Sequence, residues 1–249
     1  MVASGDVLMD IACSPQVRAA VQAVFPSVRL RIHDVEAFTR SNRAALNQAC
    51  AVVLGLRNHQ GAPSTPVIEQ LRAIAPHVGI FVAEDRSEVV DPWLRRLASS
   101  GADDAFAMDR PGDEKVFRSV LANRVALPAP ELALRELWSL WSDCAVRVEA
   151  MYCVRNGYRP RRGFAPHDWF GLKDRSMRTR FGHAGVPTPL FLTRFGRDLH
   201  WKESLARGRL SRVELATQLG FVTVSQVGAE RRRVRRMAAR WPALSGFLG

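Results

Sequence analysis

Lysine is almost missing from this chain. Of 36 basic residues only Lys115, Lys173 and Lys202 are lysine. Cysteine is sparse too. Cys13, Cys50, Cys144 and Cys153 form no C-x-x-C pair, which argues against a zinc site or a disulfide framework. They read as small buried hydrophobes in a reducing, cytoplasmic compartment. No apolar run approaches the ~20 residues that span a bilayer, so no membrane partner is expected. The strongest such run, Ala49 to Leu56, is strand-sized. The first residues lack a basic stretch followed by a long apolar one, so they do not read as a secretory signal. No P-loop, G-x-G-x-x-G or G-x-S-x-G motif occurs. His167, His183 and His200 have no cysteine or carboxylate at ligand spacing. Neither cofactor, metal nor catalysis is expected.

What is abundant is positive charge, and it is uneven. The 249 residues carry a net charge of +12. Residues 1–128 hold 14 basic and 14 acidic side chains, whereas residues 129–249 hold 22 and 10. One half is balanced and the other holds the whole surplus, which points to two modules, the second meeting a polyanion. Arginine forks suit phosphate oxygens; a GC-rich codon bias gives the same composition.

The first half alternates β-like runs with amphipathic stretches. The runs are 7–12, 29–32, 51–56, 78–83 and 105–108. The stretches are 15–23, 36–48, 63–75, 88–98 and 113–123. This alternation predicts a doubly wound sheet of five parallel strands, flavodoxin-like in size, over residues 1–126. In detail the segment resembles the receiver domain of response regulators. Residues Ile11-Ala-Cys-Ser-Pro-Gln-Val-Arg18, Val52-Val-Leu-Gly-Leu-Arg57 and Ser100-Gly-Ala-Asp-Asp-Ala105 carry the likeness. Set against that family, Gly55 falls on the phospho-accepting aspartate, Ala12 and Cys13 on the acidic pair, Ala83 on the hydroxyl, and Met108 near the lysine. The resemblance therefore implies a receiver-like regulatory domain unable to perform phosphotransfer. Asp103 and Asp104 read as turn and cap residues.

Leu127-Pro-Ala-Pro130 is a proline-punctuated boundary. Residues 127–164 read as a linker and a long helix. That helix covers 131–154, with a wide apolar stripe including Leu134, Leu137, Trp138, Trp141, Val148 and Met151. Two readings stand: a dimerising helix, or a helix packed into the second module. A homodimer through this helix or the first domain is the corresponding partner expectation. Residues 156–166 read as an exposed basic loop.

The informative motifs lie in 165–249. Ser211-Arg-Val-Glu214 is a capping box opening a helix with Val213, Ala216 and Leu219 on its apolar face. Gly220 turns the chain into a second helix with Val224, Val227 and Val234 inward. Upstream, Met177, Phe181 and Ala184 share a helical face closed by Gly185. Thr188-Pro189 opens a helix running to Arg207, about 18 residues and ~27 Å long. Two helix-turn-helix units joined by a long helix make an all-α second domain.

That layout resembles the AraC/XylS family of transcription regulators. So does the wording Gly-Leu-x-x-Arg-Ser-Met-x-x-x-Phe at 171–181, Ala-Gly-Val-Pro-Thr-Pro at 184–189 and Leu-x-Arg-Val-Glu-Leu-Ala-Thr-Gln-Leu-Gly-Phe at 210–221. The resemblance implies sequence-specific binding of double-stranded DNA. It places base contacts on Arg175, Arg178 and Thr179 in the first unit, and on Val224, Ser225, Gln226 and Ala229 in the second. Arg232 points outward with them, and Arg235 and Arg236 are the plainest phosphate contacts. One departure is Arg231, where the family usually carries an aromatic. If it disturbs the core, the alternative is a module that docks a protein or anionic surface without reading DNA.

Overall fold

The computed structural model describes residues 6–10, 12–24, 30–35, 46, 49–127, 131–159, 165–208 and 210–248. The chain divides into two compact units, 1–125 and 126–249.

The first unit is mixed α/β. Its strands are β1 (Asp6–Asp10), β2 (Leu30–His33), β3 (Ala49–Leu54), β4 (Gly79–Glu84) and β5 (Asp104–Ala107). They run in the order β2-β1-β3-β4-β5, every neighbouring pair parallel. A parallel sheet is covered on both faces, so its strands are continuously apolar rather than alternating. Ala51 to Leu54 and Ile80 to Ala83 are such runs, and all eight residues are buried. Around the sheet lie α1 (Pro15–Val24), α2 (Thr65–Ile74), α3 (Ser87–Val90), α4 (Leu94–Ser100) and α5 (Asp113–Ala126). The expected single helix over 88–98 is interrupted. A 3-10 turn over Asp91–Trp93 separates α3 from α4, and Pro92 at its centre has no N–H for the helical ladder. The helix expected over 36–48 lies outside the described residues, apart from Leu46.

One buried cation pins this unit. Arg72 on α2 donates through Nε to the Gly101 carbonyl at 2.6 Å and through Nη2 to Asp103 at 2.6 Å; Nη1 meets the Val78 carbonyl. Asp103 also accepts the Ile80 N–H at 2.8 Å. Asp103 is therefore a buried counter-ion, not a turn or cap residue. A buried guanidinium must have its charge and its donors met.

In the second unit every described element is helical: α6 (Glu131–Leu140), α7 (Cys144–Arg155), α8 (Pro166–Trp169), α9 (Asp174–His183), α10 (Pro189–Ala206), α11 (Arg212–Gln218), α12 (Val224–Ala238) and α13 (Pro242–Ser245). Three-residue 3-10 turns follow α7 and α13. The helix expected over 131–154 is two helices. Asp143 caps the second, its carboxylate accepting the Val146 N–H at 3.0 Å, a local start signal that competes with helix continuation. Residues 131–158 are not a linker. Their apolar stripe is used inside the unit: Leu134, Leu137, Val146, Ala150, Met151 and Val154 share a core with Phe191, Leu192, Phe195 and Leu199 of α10. Residues 156–158, expected in an exposed loop, are a buried turn with Asn156 and Tyr158 inside; 160–164 lie outside the described residues.

The crossing of α7 and α10 depends on a glycine. A Cβ on Gly196 would lie 2.0 Å from the Val154 carbonyl oxygen, a backbone atom. Gly182 on α9 has nothing within 4 Å of the same point. Glycine normally weakens a helix interior relative to alanine by roughly 0.5–1 kcal/mol, so the two positions should respond with opposite signs. Gly196→Ala is expected to destabilise the chain by about 1–3 kcal/mol or more. Gly182→Ala is expected to stabilise it by up to about 1 kcal/mol. Urea unfolding of the two variants checks this, and equal responses would contradict the close approach.

Candidate nucleic-acid interface

Which side chains each helix exposes here follows from which of its sides is buried. On α9, Met177 and Phe181 are buried and hold the helix to the unit's core. Ala184, expected to join them, is exposed, and Val186 takes the place inside. The opposite side presents Arg175 and Thr179 to solvent. Arg178 is exposed beside them and pairs with Asp174 one turn back. On the flank, Arg180 reaches Glu149 of α7 at 2.8 Å. Burial pushes the Glu149 carboxyl above its ordinary value, with Arg180 opposing the shift. Glu149 was hidden in the sequence inside an apolar stripe. In the structure it ties α9 to α7.

The long helix α10 is built as its sequence dictates. The Thr188 hydroxyl accepts the Phe191 N–H at 3.3 Å, and Pro189 occupies the first turn. Its 18 residues extend ~27 Å. Leu192, Phe195 and Leu199 are buried, with Leu205 half-buried. Both α9 and α12 pack against it.

The capping box of α11 forms in full. Ser211 Oγ accepts the Glu214 N–H at 3.2 Å, and Glu214 Oε2 accepts the Ser211 N–H at 2.8 Å. Hydrogen bonding to its carboxylate from the Ser211 side chain and backbone N–H holds the Glu214 carboxyl below its ordinary value. Leu215, Ala216 and Leu219 face inward. Val213, expected among them, is 66% exposed. Gly220 turns the chain at φ +77°, a conformation that favours glycine. Thr223 then caps α12 by accepting the Gln226 N–H at 3.4 Å.

On α12, Val227, Val234 and Ala238 are buried, and Val224 is half-buried. Ser225, Gln226, Ala229, Arg232, Arg235 and Arg236 are exposed, as is Arg233, and Arg240 just past the helix is exposed too. The ten expected contact residues thus fall into two groups, three on α9 and seven on α12, both on helices held by α10. All but half-buried Val224 are open to solvent.

The expected difficulty at Arg231 is absent. Its Nε pairs with Asp198 of α10, which is only 1% exposed, while Arg231 keeps 27% of its side chain in solvent. One residue earlier, Glu230 receives Arg197 at 2.8 Å and Arg194 at 3.8 Å. Arg197 also lies over the Phe221 ring at 5.7 Å. Arg194, Arg197, Asp198 and Glu230 were missed in the sequence. The available signal was Arg194, Arg197 and Asp198, charged residues at spacings of three and four in the stretch of α10 that also carries Phe191, Leu192, Phe195 and Leu199.

Other chemistry-bearing residues are structural. Trp201 is buried, and Trp169 stacks on Tyr152 with ring centroids 6.4 Å apart. His200 is buried, its Nε2 bonded to the Arg155 carbonyl at 3.0 Å. His167 does lie near carboxylates, 3.4 Å from Asp168 and 4.0 Å from Asp174. No group of three or more His, Cys, Asp or Glu placed to hold a metal occurs among the described residues.

In the first unit, acidic groups do gather at the carboxyl ends of the strands. Asp10 is buried there, and Asp85 accepts from Ser14. Glu84 takes the Leu56 N–H and sits 3.4 Å from where a Cβ on Gly55 would be. Desolvation raises the Glu84 carboxyl above its ordinary value. No helix is long and apolar enough to cross a membrane among the described residues. Compared with known proteins, the chain matches no family model and no curated protein.

The Asp198–Arg231 pair makes an asymmetric prediction. Removing Arg231 leaves a carboxylate buried without its cation, which costs about 3–5 kcal/mol. Removing the charge of Asp198 leaves an arginine that can turn outward to water. Arg231→Ala should therefore destabilise the chain by several-fold more than Asp198→Asn in urea unfolding. Equal losses would contradict the pairing.

Proposed function

We propose that this chain is a sequence-specific, DNA-binding transcription regulator of the AraC/XylS type with a receiver-like regulatory unit. α8 to α9 and α11 to α12 are taken as two helix-turn-helix units, with α9 and α12 as reading helices. The observation that carries this is α12 itself. It follows a capping-box helix and a glycine turn. It buries Val227, Val234 and Ala238, and exposes Arg232, Arg233, Arg235 and Arg236. A helix with one apolar face inward and an arginine-rich face outward is what a major-groove reader presents.

The spacing device is α10. At ~27 Å it is somewhat shorter than the ~34 Å between successive major-groove turns on one face of the duplex. One chain then offers a reading helix to each of two adjacent grooves. On α9, Arg175 and Arg178 reach base edges, guanine O6 and N7 being the usual arginine target, with Thr179 beside them. On α12, Arg235 contacts phosphate and sets register without reading sequence. For the first unit, the strand order 2-1-3-4-5 is that of flavodoxin-like folds. Gly55 offers no nucleophile at the position where receivers are phosphorylated, so that unit regulates by docking or pairing.

Equilibrium binding of the full chain to labelled duplexes over a range of salt tests the reading. Neutralising about 6–10 phosphates gives a log–log salt slope of roughly −5 to −9. Binding to a preferred duplex should also survive an excess of competitor DNA. Absence of binding to any duplex at low salt would overturn the proposal and favour a protein- or anion-docking role for the same helices.

A further inference from the structure

This inference rests on the DNA-binding reading and specifies what the second reading helix takes. The residues that resemblance places on the bases are poorly free to read them. Gln226 Oε1 already accepts the Val222 N–H at 3.0 Å, turned back toward its own loop. Reading adenine needs both ends of that amide at once. The Ser225 and Thr223 hydroxyls share a 2.8 Å hydrogen bond. Ala229 has no polar group, and Val224 is half-buried.

The same outer face continues into arginine. At about 100° per residue, Ala229, Arg232 and Arg236 fall within a sector of about 60°. That sector lies opposite buried Val227, Val234 and Ala238. Arg232 and Arg236 are exposed and form no ion pair among the described residues. Arg233 and Arg235 project about 80° to either side of their midline. A helix laid in a groove with Arg232 and Arg236 toward the floor thus aims Arg233 and Arg235 at the two opposite walls, where the phosphates are.

We infer that Arg232 and Arg236 are the base-reading residues of α12, and that their target is two guanines two base pairs apart. The axial rise between residues four apart is about 6 Å, and two base steps rise about 6.8 Å. Each guanidinium can donate two parallel hydrogen bonds to guanine O6 and N7. Arg236 is then a specificity residue and not a phosphate contact, while Arg233 joins Arg235 in holding the backbone. The ion pairs of Glu230 and Arg231 with α10 fix the rotation of α12 that gives this sector its outward aim.

Selection of bound sites from randomised duplexes by the full-length chain, repeated with variants, tests this. The wild type should enrich two guanines spaced two base pairs apart. Arg232→Ala and Arg236→Ala should each erase preference at a different one of those positions, by about 5- to 150-fold. Gln226→Ala should leave both preferences intact. Arg235→Ala should weaken all sequences alike and make the salt slope shallower by about 0.9. All these side chains are exposed, so unfolding is not expected, and circular dichroism of each variant verifies it. A selected site whose preferences ignore Arg232 and Arg236 overturns this inference alone. Failure to enrich any sequence overturns the DNA-reading proposal and this inference with it.

Discussion

A carboxylate that is almost wholly buried cannot stand alone, and Asp198 governs the second unit for that reason. Its charge must be met, and Arg231 of α12 meets it. Next to it Glu230 binds Arg197. Two charge pairs of opposite polarity thus join the same two helices at adjacent residues. Apolar packing alone would let α12 roll or slide on α10 at modest cost. Swapping partners here would set like charge against like, which fixes the rotation of α12. That rotation decides which of its many arginines face outward.

The same logic appears twice more, and each time it fastens one helix to its unit. In the first unit Arg72 and Asp103 bring α2, the end of α4 and the start of β4 together. In the second, Glu149 reaches from α7 to Arg180 and steadies α9. Close backbone approach does the remaining work: Gly196 lets α10 and α7 meet without an intervening side chain. The chain thus uses buried charge to orient helices and glycine to bring them close. Exposed arginines are left on the outer faces of α9 and α12.

How much of this was legible depends on how local the signal is. The capping box at Ser211 and Glu214, the Thr188-Pro189 helix start and the parallel strands are written in neighbouring residues, and they were readable. Inward-facing Met177, Phe181, Val227 and Val234 followed from helical period. The break before α7 was missed because the Asp143 cap lies under an apolar stripe that continues across it. Val213 was misplaced because a helix has no buried face at its first turn unless something packs there. The partners of Arg231 could not be read at all. Asp198 is 33 residues away, and only the packed tertiary structure brings the two together. The arginine thus looked like a defect in sequence and is a fastening in the fold.

In the proposed function, one chain presents two reading helices to two successive grooves on one face of DNA. Hydroxyl-radical footprinting of the full-length protein on its selected duplex tests that most directly. Two protected windows centred about one helical turn apart, ~34 Å along the axis, are expected on the same face. A single protected window, or two on opposite faces, would contradict it.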